Sequence, residues 1–463
     1  MSSGYQHIDA CRFTAASIAP LMHADCLNAN TTLITDVQID SRACTKGSLF
    51  FALKGEKNDG FSFLSDVCDQ GAAAVVVPKS RAKEARARVG CPVLAVDDVL
   101  TALHDLAQSY LQRLSAVKTI GITGSCGKST TKEALSRITA VMGPTAKTPG
   151  NLNSEYGLPL SMFGLQEDSR YGVFEMGIDH VGEMDRMVGT LKPSIALLTN
   201  IGISHLEKMG SQEVIAEQKA RIFHPGLEAG FVSSNCSHLD LIERVAGRNL
   251  VRYDSNEISA IDLGLDGWML TYEGHTFSVK SVGRHLLEDV VGAIRVARYL
   301  GARASDIAEA LQGFEPMQGR SFVHRSEVTI IDDSYNASLD SANSILTYLS
   351  GLSWQGSKKV VLGPMKELGA LSKQAHRMVA RTVASSSFDQ TYLYGAEMEE
   401  ASQELRELGY RGEVSYTRDF EELESMVQKH RRRGDLFLLK ASRSVAMERL
   451  IPSLQRSSLG YAI

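Results

Sequence analysis

The amino-acid sequence predicts an α/β protein of three domains. Short, unbroken apolar runs alternate with helical segments along most of the chain, and one such run enters a glycine loop that opens a helix. Gly and Pro punctuation at Gly313-Phe-Glu-Pro-Met-Gln-Gly-Arg320 separates two alternating series. The expected divisions are therefore 1–115, 116–320 and 321–463.

Within 1–115, Gly71-Ala-Ala-Ala-Val-Val-Val-Pro78 reads as a buried strand closed by its proline, and Val93-Leu-Ala-Val96 as another. A helical pattern from Leu100 to Leu114 leads out of the unit. Within 116–320 the apolar runs at 119–123, 172–176 and 195–199 are short and continuous, as parallel strands covered on both faces must be. Polar helical segments between them fit crossover connections. Within 321–463 the runs are Val328-Thr-Ile-Ile331, Lys359-Val-Val-Leu362, Thr391-Tyr-Leu-Tyr394 and Leu436-Phe-Leu-Leu439. Helical stretches such as Leu339 to Leu349 and Gln374 to Ala384 separate them, so a second, mostly parallel sheet is expected.

Composition narrows the class. With 43% hydrophobic and 22% charged residues among 463, the chain can fill a core and is not a disordered polymer. Lys and Arg number 49 against 54 Asp and Glu, a net charge of −5, which removes the basic surface that nucleic-acid binding needs. The cluster Lys429-His-Arg-Arg-Arg433 is short and reads as a solvated helix end. No run approaches the ~18 apolar residues of a membrane span, and Met1 to Pro20 lacks a basic-then-apolar signal pattern. Seven scattered cysteines without a Cys-x-x-Cys pair fit reduced thiols. The expectation is a cytoplasmic protein, with neither nucleic-acid binding nor membrane insertion.

The sharpest local signal is Lys118-Thr-Ile-Gly-Ile-Thr-Gly-Ser-Cys-Gly-Lys-Ser-Thr-Thr-Lys132, an apolar strand running into Gly124-Ser125-Cys126-Gly127-Lys128-Ser129-Thr130 and then a helix. Glycines let backbone N–H groups close around phosphate oxygens, and the helix N-terminus adds its positive dipole end. Lys128 would neutralise the β- and γ-phosphates and Ser129 would offer a hydroxyl to Mg²⁺. The spacing is Gly-x-x-Gly-Lys-Ser, shorter than Gly-x4-Gly-Lys, because position 122 is Ile. Tyr171-Gly-Val-Phe-Glu175 is a strand ending in a carboxylate, and Thr199-Asn-Ile-Gly-Ile-Ser-His205 follows another strand end. Such ends gather on the ligand-binding edge of a parallel sheet, so Glu175 and His205 are expected at a metal or phosphate there.

These features fall within a longer ordered series. It begins with Asp40-Ser41-Arg42, Gly47-Ser-Leu-Phe-Phe-Ala-Leu-Lys-Gly-Glu56 and Asp59-Gly60, and continues through Gly150-Asn-Leu-Asn-Ser-Glu-Tyr-Gly-Leu-Pro159 and Ala216-Glu-Gln-Lys219-Ala-Arg-Ile-Phe223. It ends with Asp332-Asp-Ser-Tyr-Asn-Ala337, Leu362-Gly-Pro-Met-Lys-Glu-Leu-Gly369 and Leu439-Lys-Ala-Ser-Arg-Ser-Val-Ala-Met-Glu448. In order and spacing the series resembles the Mur ligase family, over nearly the whole chain. The Asp-Ser-Tyr-Asn-Ala and Lys-x-Ser-Arg pieces resemble its dipeptide-adding branch.

The resemblance implies a small α/β domain for a UDP-linked substrate, a central P-loop mononucleotide-binding domain with a parallel sheet, and a C-terminal Rossmann-like domain. It implies an ATP-dependent amide ligase of peptidoglycan precursor synthesis, acting as a monomer. The substrates would be UDP-N-acetylmuramoyl-tripeptide and D-alanyl-D-alanine, joined through an acyl phosphate. By the same resemblance Ser129 and Glu175 would bind one Mg²⁺, His205 would serve a second, and Lys219 would be carbamoylated into a ligand for it. Arg320 would reach the nucleotide phosphates on domain closure. Asp333 would bind ribose, with Tyr335 and Asn336 alongside. Ser41 and Arg42 would contact the uridine diphosphate, Asn151 and Asn153 would orient the tripeptide, and Lys440, Ser442 and Arg443 would hold the incoming dipeptide or the closed state.

Three positions depart from the family pattern. After Gly283-Arg-His285 stand Leu286 and Asp289 where the family has Asn, the second near adenine. An amide both donates and accepts, whereas an ionised Asp289 only accepts, so another purine nucleotide enters consideration. Pro364 stands at a usually acidic position and Phe61 where His is common. Two alternatives follow: a catalytically silent nucleotide-binding partner in cell-wall assembly, and another Mur-type amino-acid ligase.

Overall fold

The computed structural model describes residues 13–55, 57–114, 116–247 and 250–456; Glu56 of the first-domain segment and Ser115 at the first division lie outside them. Three sheets of predominantly parallel strands follow one another, each sandwiched by helices. In the first, Asp36–Gln38, Ser48–Phe51, Ala74–Pro78 and Val93–Val96 run parallel, and Asp25–Leu27 closes the edge antiparallel to Val93–Val96. The run Ala74–Pro78 forms a strand because β-branched valines fit a pleated, doubly covered position. Val75, Val76 and Val77 are all fully buried.

The second sheet has six parallel strands in the spatial order Val251–Tyr253, Ala229–Ser233, Ile195–Leu198, Lys118–Thr123, Tyr171–Glu175, Thr145–Lys147. Lys118–Thr123 lies near the middle, between Ile195–Leu198 and Tyr171–Glu175, so the three strand ends marked in the sequence share one edge. A small antiparallel sheet, Ser259–Asp262, Trp268–Tyr272 and His275–Val279, precedes the long helix Arg284–Tyr299. The third sheet runs Phe322–Arg325, Thr329–Asp333, Leu436–Lys440, Lys358–Leu362, Gln390–Tyr394, Glu413–Thr417. Only the first of these is antiparallel.

The first two units share one apolar core. Residues from Phe13 to Tyr110 and from Leu158 to Leu250 form a single buried cluster, seamed by the helix Val99–Gln112. Polar contacts register that seam: Tyr110 Oη donates to the Leu165 carbonyl at 2.6 Å, Gln108 Nε2 to the Gly189 carbonyl at 2.5 Å, and His104 Nδ1 meets Thr190 Oγ1 at 2.6 Å. The third unit has its own clusters on the two faces of its sheet. It meets the second through Leu265 and Val282, which join its apolar cluster, and through polar contacts: Tyr348 Oη to Asp262 Oδ1 at 2.9 Å, Arg325 to Asp266 at 2.6 Å, and Ser344 Oγ with His285 Nδ1 at 3.0 Å. Among the described residues no helix is long and apolar enough to cross a membrane.

Candidate active site

The loop 124–127 turns sharply out of Lys118–Thr123 into the helix Lys128–Met142. Gly127 caps that helix with φ 82°, and Gly124 sits at φ 148°. Both lack room as well as ordinary backbone angles. A Cβ on Gly124 would fall 1.9 Å from Thr199 Oγ1, and one on Gly127 would fall 2.0 Å from Asp289 Oδ1. Asn200 braces the loop from the neighbouring strand end. Its Oδ1 accepts from Cys126 N at 3.0 Å, its Nδ2 donates to the Cys126 carbonyl at 3.2 Å, and its own carbonyl accepts from Ser125 N at 3.0 Å. Lys128 curls over the loop, Nζ donating to the Gly124 carbonyl at 2.7 Å. Desolvation draws its pKa below the usual lysine value, opposed by the charge of Glu175.

Glu175 ends the adjacent strand and is 1% exposed. Oε2 accepts from Ser129 Oγ at 2.7 Å and Oε1 from Asn153 Nδ2 at 2.7 Å. The hydroxyl and carboxylate expected to share Mg²⁺ thus converge. Asn153 serves as a brace for Glu175, while Asn151 is exposed and contributes its carbonyl to Asn153 N at 2.7 Å. The turn carrying them is held from beneath by Lys132, wholly buried, whose Nζ donates to the carbonyls of Thr148 at 3.0 Å and Gly150 at 3.2 Å. Sequence reasoning passed over Lys132; its one signal was its place four residues after Lys128, one turn further along the same helix face.

Lys219, on the helix Gln212–Ala220, is 1% exposed with no side-chain hydrogen bond to any described residue. Burial first, then the positive charge of Lys128, push its pKa down to about 7. His205 stands at φ 62°, an uncommon angle for a side-chain-bearing residue, and its Nδ1 lies 2.5 Å from Glu367 Oε2 of the third unit. That contact is close but lacks hydrogen-bond alignment. The Glu367 carbonyl also accepts from Glu207 N at 3.2 Å, so the third unit clasps the helix that follows His205. The His205 contact also holds the Glu367 carboxyl below its usual value.

Arg320 lies at the junction with its guanidinium 4.1 Å from the Tyr335 ring centroid, and Arg443 approaches the same ring at 5.9 Å. Its charge acts on both Lys128 and Asp289, so the structure brings it to the loop. Asp333 accepts from Ser321 N at 3.0 Å and from Lys440 Nζ at 2.6 Å. Lys440 is 2% exposed and also donates to the Asn336 carbonyl at 3.0 Å. Lys440, expected to hold the incoming dipeptide or the closed state, has its ammonium buried against Asp333, where an enclosed charge is met by a paired acceptor. Ser442 Oγ accepts from Lys366 N at 2.9 Å, fixing the Pro364–Gly369 loop to the sheet end, and Arg443 pairs with Glu448 at 2.6 Å. In the first unit Arg42 is exposed and clamped in two-pronged fashion by Asp40, beside Ser41. Nothing bonds this pair to the loop at Gly124–Thr130.

Asp289 is 4% exposed, and burial together with the charge of Glu288 raises its pKa well above the usual carboxyl value. Phe61, at a position where His was expected, is 1% exposed, with the Arg81 guanidinium 3.4 Å from its ring centroid.

Comparison with known proteins covers all three units. Residues 33–111 match the model of the Mur ligase family, catalytic domain; residues 122–297 the Mur ligase middle domain; and residues 317–443 the Mur ligase, glutamate ligase domain. A UDP-N-acetylmuramoyl-tripeptide–D-alanyl-D-alanine ligase of Treponema pallidum is 36% identical over 91% of this chain and 94% of its own. The crystal structure of MurF from Acinetobacter baumannii superposes with a TM-score of 0.86 at 26% identity, covering 97% of this chain and 100% of that one. The structure of MurF ligase from Thermotoga maritima in complex with ADP gives 0.75 at 27% identity, covering 90% and 96%.

Proposed function

The chain belongs to the Mur ligase family, and from that premise we propose how its own residues carry out the reaction. It is an ATP-dependent amide ligase of peptidoglycan precursor synthesis that adds D-alanyl-D-alanine to UDP-N-acetylmuramoyl-tripeptide. A carboxylate resists attack by an amine because its leaving group would be oxide. Transfer of the γ-phosphoryl group to the tripeptide's terminal carboxylate supplies a better one, with ADP released. The amine then attacks the acyl carbon, a tetrahedral intermediate forms, and inorganic phosphate leaves as the C–N bond is completed.

The observation that carries the residue assignment is the pairing of Ser129 and Glu175 at the mouth of the loop. A hydroxyl and a carboxylate are hard oxygen donors of the kind Mg²⁺ takes alongside nucleotide phosphates. When bound, Mg²⁺ would draw charge from the phosphoryl oxygens. Lys128 and the loop amides would hold the β- and γ-phosphates, and Asn153 would keep Glu175 oriented. His205 and Lys219 would serve a second cation. Lys219 suits carbamoylation: a buried amine without a hydrogen-bond partner, much of it neutral near pH 7, can add carbon dioxide with loss of one proton. Arg320 would approach the phosphates from the junction, Asp333, Tyr335 and Asn336 would flank the nucleoside, and Ser41 and Arg42 would meet the uridine diphosphate. A monomer in the cytoplasm, where UDP-linked precursors are made, completes the reading.

Phosphate release should be measured with Mg²⁺ and ATP, each substrate being added singly and then together, with GTP in parallel. Release that requires both substrates, with the UDP-pentapeptide seen by mass, is expected. Release indifferent to either substrate would overturn the reading.

A further inference from the structure

Asp289 is a buried acid without a protein partner. It projects from the helix Arg284–Tyr299, is 4% exposed, and makes no hydrogen bond or ion pair to any described residue. Its carboxyl rests on the backbone of the phosphate loop, so that a Cβ on Gly127 would meet both of its oxygens, at 2.0 and 2.6 Å. Its neighbour Glu288 is placed quite differently. Glu288 accepts from Ser233 Oγ at 2.6 Å, Ser255 N at 2.9 Å and Asn235 Nδ2 at 3.4 Å. The two adjacent carboxyl groups thus differ in their partners: three donors meet Glu288, and none among the described residues meets Asp289.

The charged and titratable groups facing Asp289 come from four elements. Lys128 and Cys126 belong to the loop and its helix, Arg320 to the junction, Tyr253 to the strand Val251–Tyr253, and Glu288 to its own helix. Neither Lys128 nor Arg320 comes within ion-pair distance of it. An unpaired carboxylate in such a place is strongly disfavoured, and it would also repel the phosphates that Gly127 and Lys128 gather. A neutral carboxyl group has an O–H to give and no described residue to receive it.

We propose that Asp289 acts as a neutral carboxylic acid that donates its proton to an acceptor atom of the bound nucleotide, so that nucleotide affinity falls once that proton is lost. The proposal rests on the reading of Gly124–Thr130 as the nucleotide loop. The sign follows from burial. Burial raises the pKa of Asp289, so its proton is held to higher pH than that of an exposed carboxyl, and its loss turns a donor into a repelling charge. Lys128 and Lys219 lose charge in the same direction, so the wild-type profile alone does not isolate Asp289.

The test is ATP affinity of the full chain by titration calorimetry from pH 6 to 9.5, for wild type and for Asp289→Asn, whose amide donates at every pH. The ratio of wild-type to variant dissociation constants is expected to rise by about tenfold per pH unit once Asp289 ionises. A ratio constant across the range overturns the proposal. Asp289→Leu, which also removes the titrating group, gives the same ratio test should the amide variant not fold. Tripolyphosphate, which has no nucleoside, is run alongside. A ratio that rises for it too puts the acceptor on phosphate, and one that rises for ATP alone puts it on the nucleoside. Wild type that binds ATP at no pH would overturn the nucleotide reading itself.

Discussion

Glu175 is held by two hydrogen bonds, and the two have different jobs. The one from Ser129 joins a pair of donors proposed to share a cation, whereas the one from Asn153 only aims the carboxylate. Asn153→Ala should therefore raise the Mg²⁺ concentration needed for half-maximal activity by about 10–100-fold, the usual cost of losing an outer partner of a ligand. Unchanged Mg²⁺ dependence would show Asn153 to be a mere turn residue. Gly127→Ala should abolish ATP binding, since it forces a side chain into both a left-handed backbone and the Asp289 carboxyl. Calorimetry with ATP would check this, circular dichroism reporting whether the fold survives. At this scale the sequence was legible where spacing encodes chemistry. Lys128, Ser129 and Glu175 were found because a glycine loop and a strand end announce themselves. Lys132 was not, since a lysine inside a helix reads as solvated, and only the three-dimensional path of residues 148–150 shows what encloses it.

The elements with continuous apolar runs were readable for a simple reason: parallel strands covered on both faces have no polar side to obscure them. The antiparallel sheet 259–279 escaped notice because burial alternates along it, with Trp268, Leu270, Phe277 and Val279 inside and Ser259, Ile261 and His275 outside. The meeting of elements across the second junction was also invisible, and it yields a suppressor test. A Cβ on Gly202 would fall 2.3 Å from Asp340 Oδ2, on the helix Leu339–Gly351 of the third unit. Gly202→Ala should lower kcat by wedging the two units apart, and Asp340→Ala in the same chain should restore most of the loss. Failure of the second change to rescue the first would mean that the seam does not close on this contact during turnover.

Across the whole molecule, each junction holds a histidine whose pKa is depressed. His104 faces Thr190 at the first, and His285 faces Ser344 at the second. Burial pushes each pKa down from 6.5 to about 4. Their stabilising effect is then complete above the unfolded value and is lost as pH falls from 6.5 through about 4, because the unfolded chain takes up protons that the folded one refuses. For the well-buried His104 this amounts to about 3 kcal/mol at full extent. Denaturant midpoints at pH 7 and pH 4.5 should differ more for wild type than for His104→Gln; equal differences would remove His104 from the account. The strand order of the third sheet has a consequence for the making of the protein. Leu436–Lys440, its last strand in sequence, lies between Thr329–Asp333 and Lys358–Leu362. During synthesis on the ribosome the sheet therefore waits, split into two halves, until almost the entire chain has been translated. A message cut short before residue 436 would yield a sound substrate-and-nucleotide half attached to an aggregation-prone remnant with two unpaired strand edges, a natural target for proteolytic clearance.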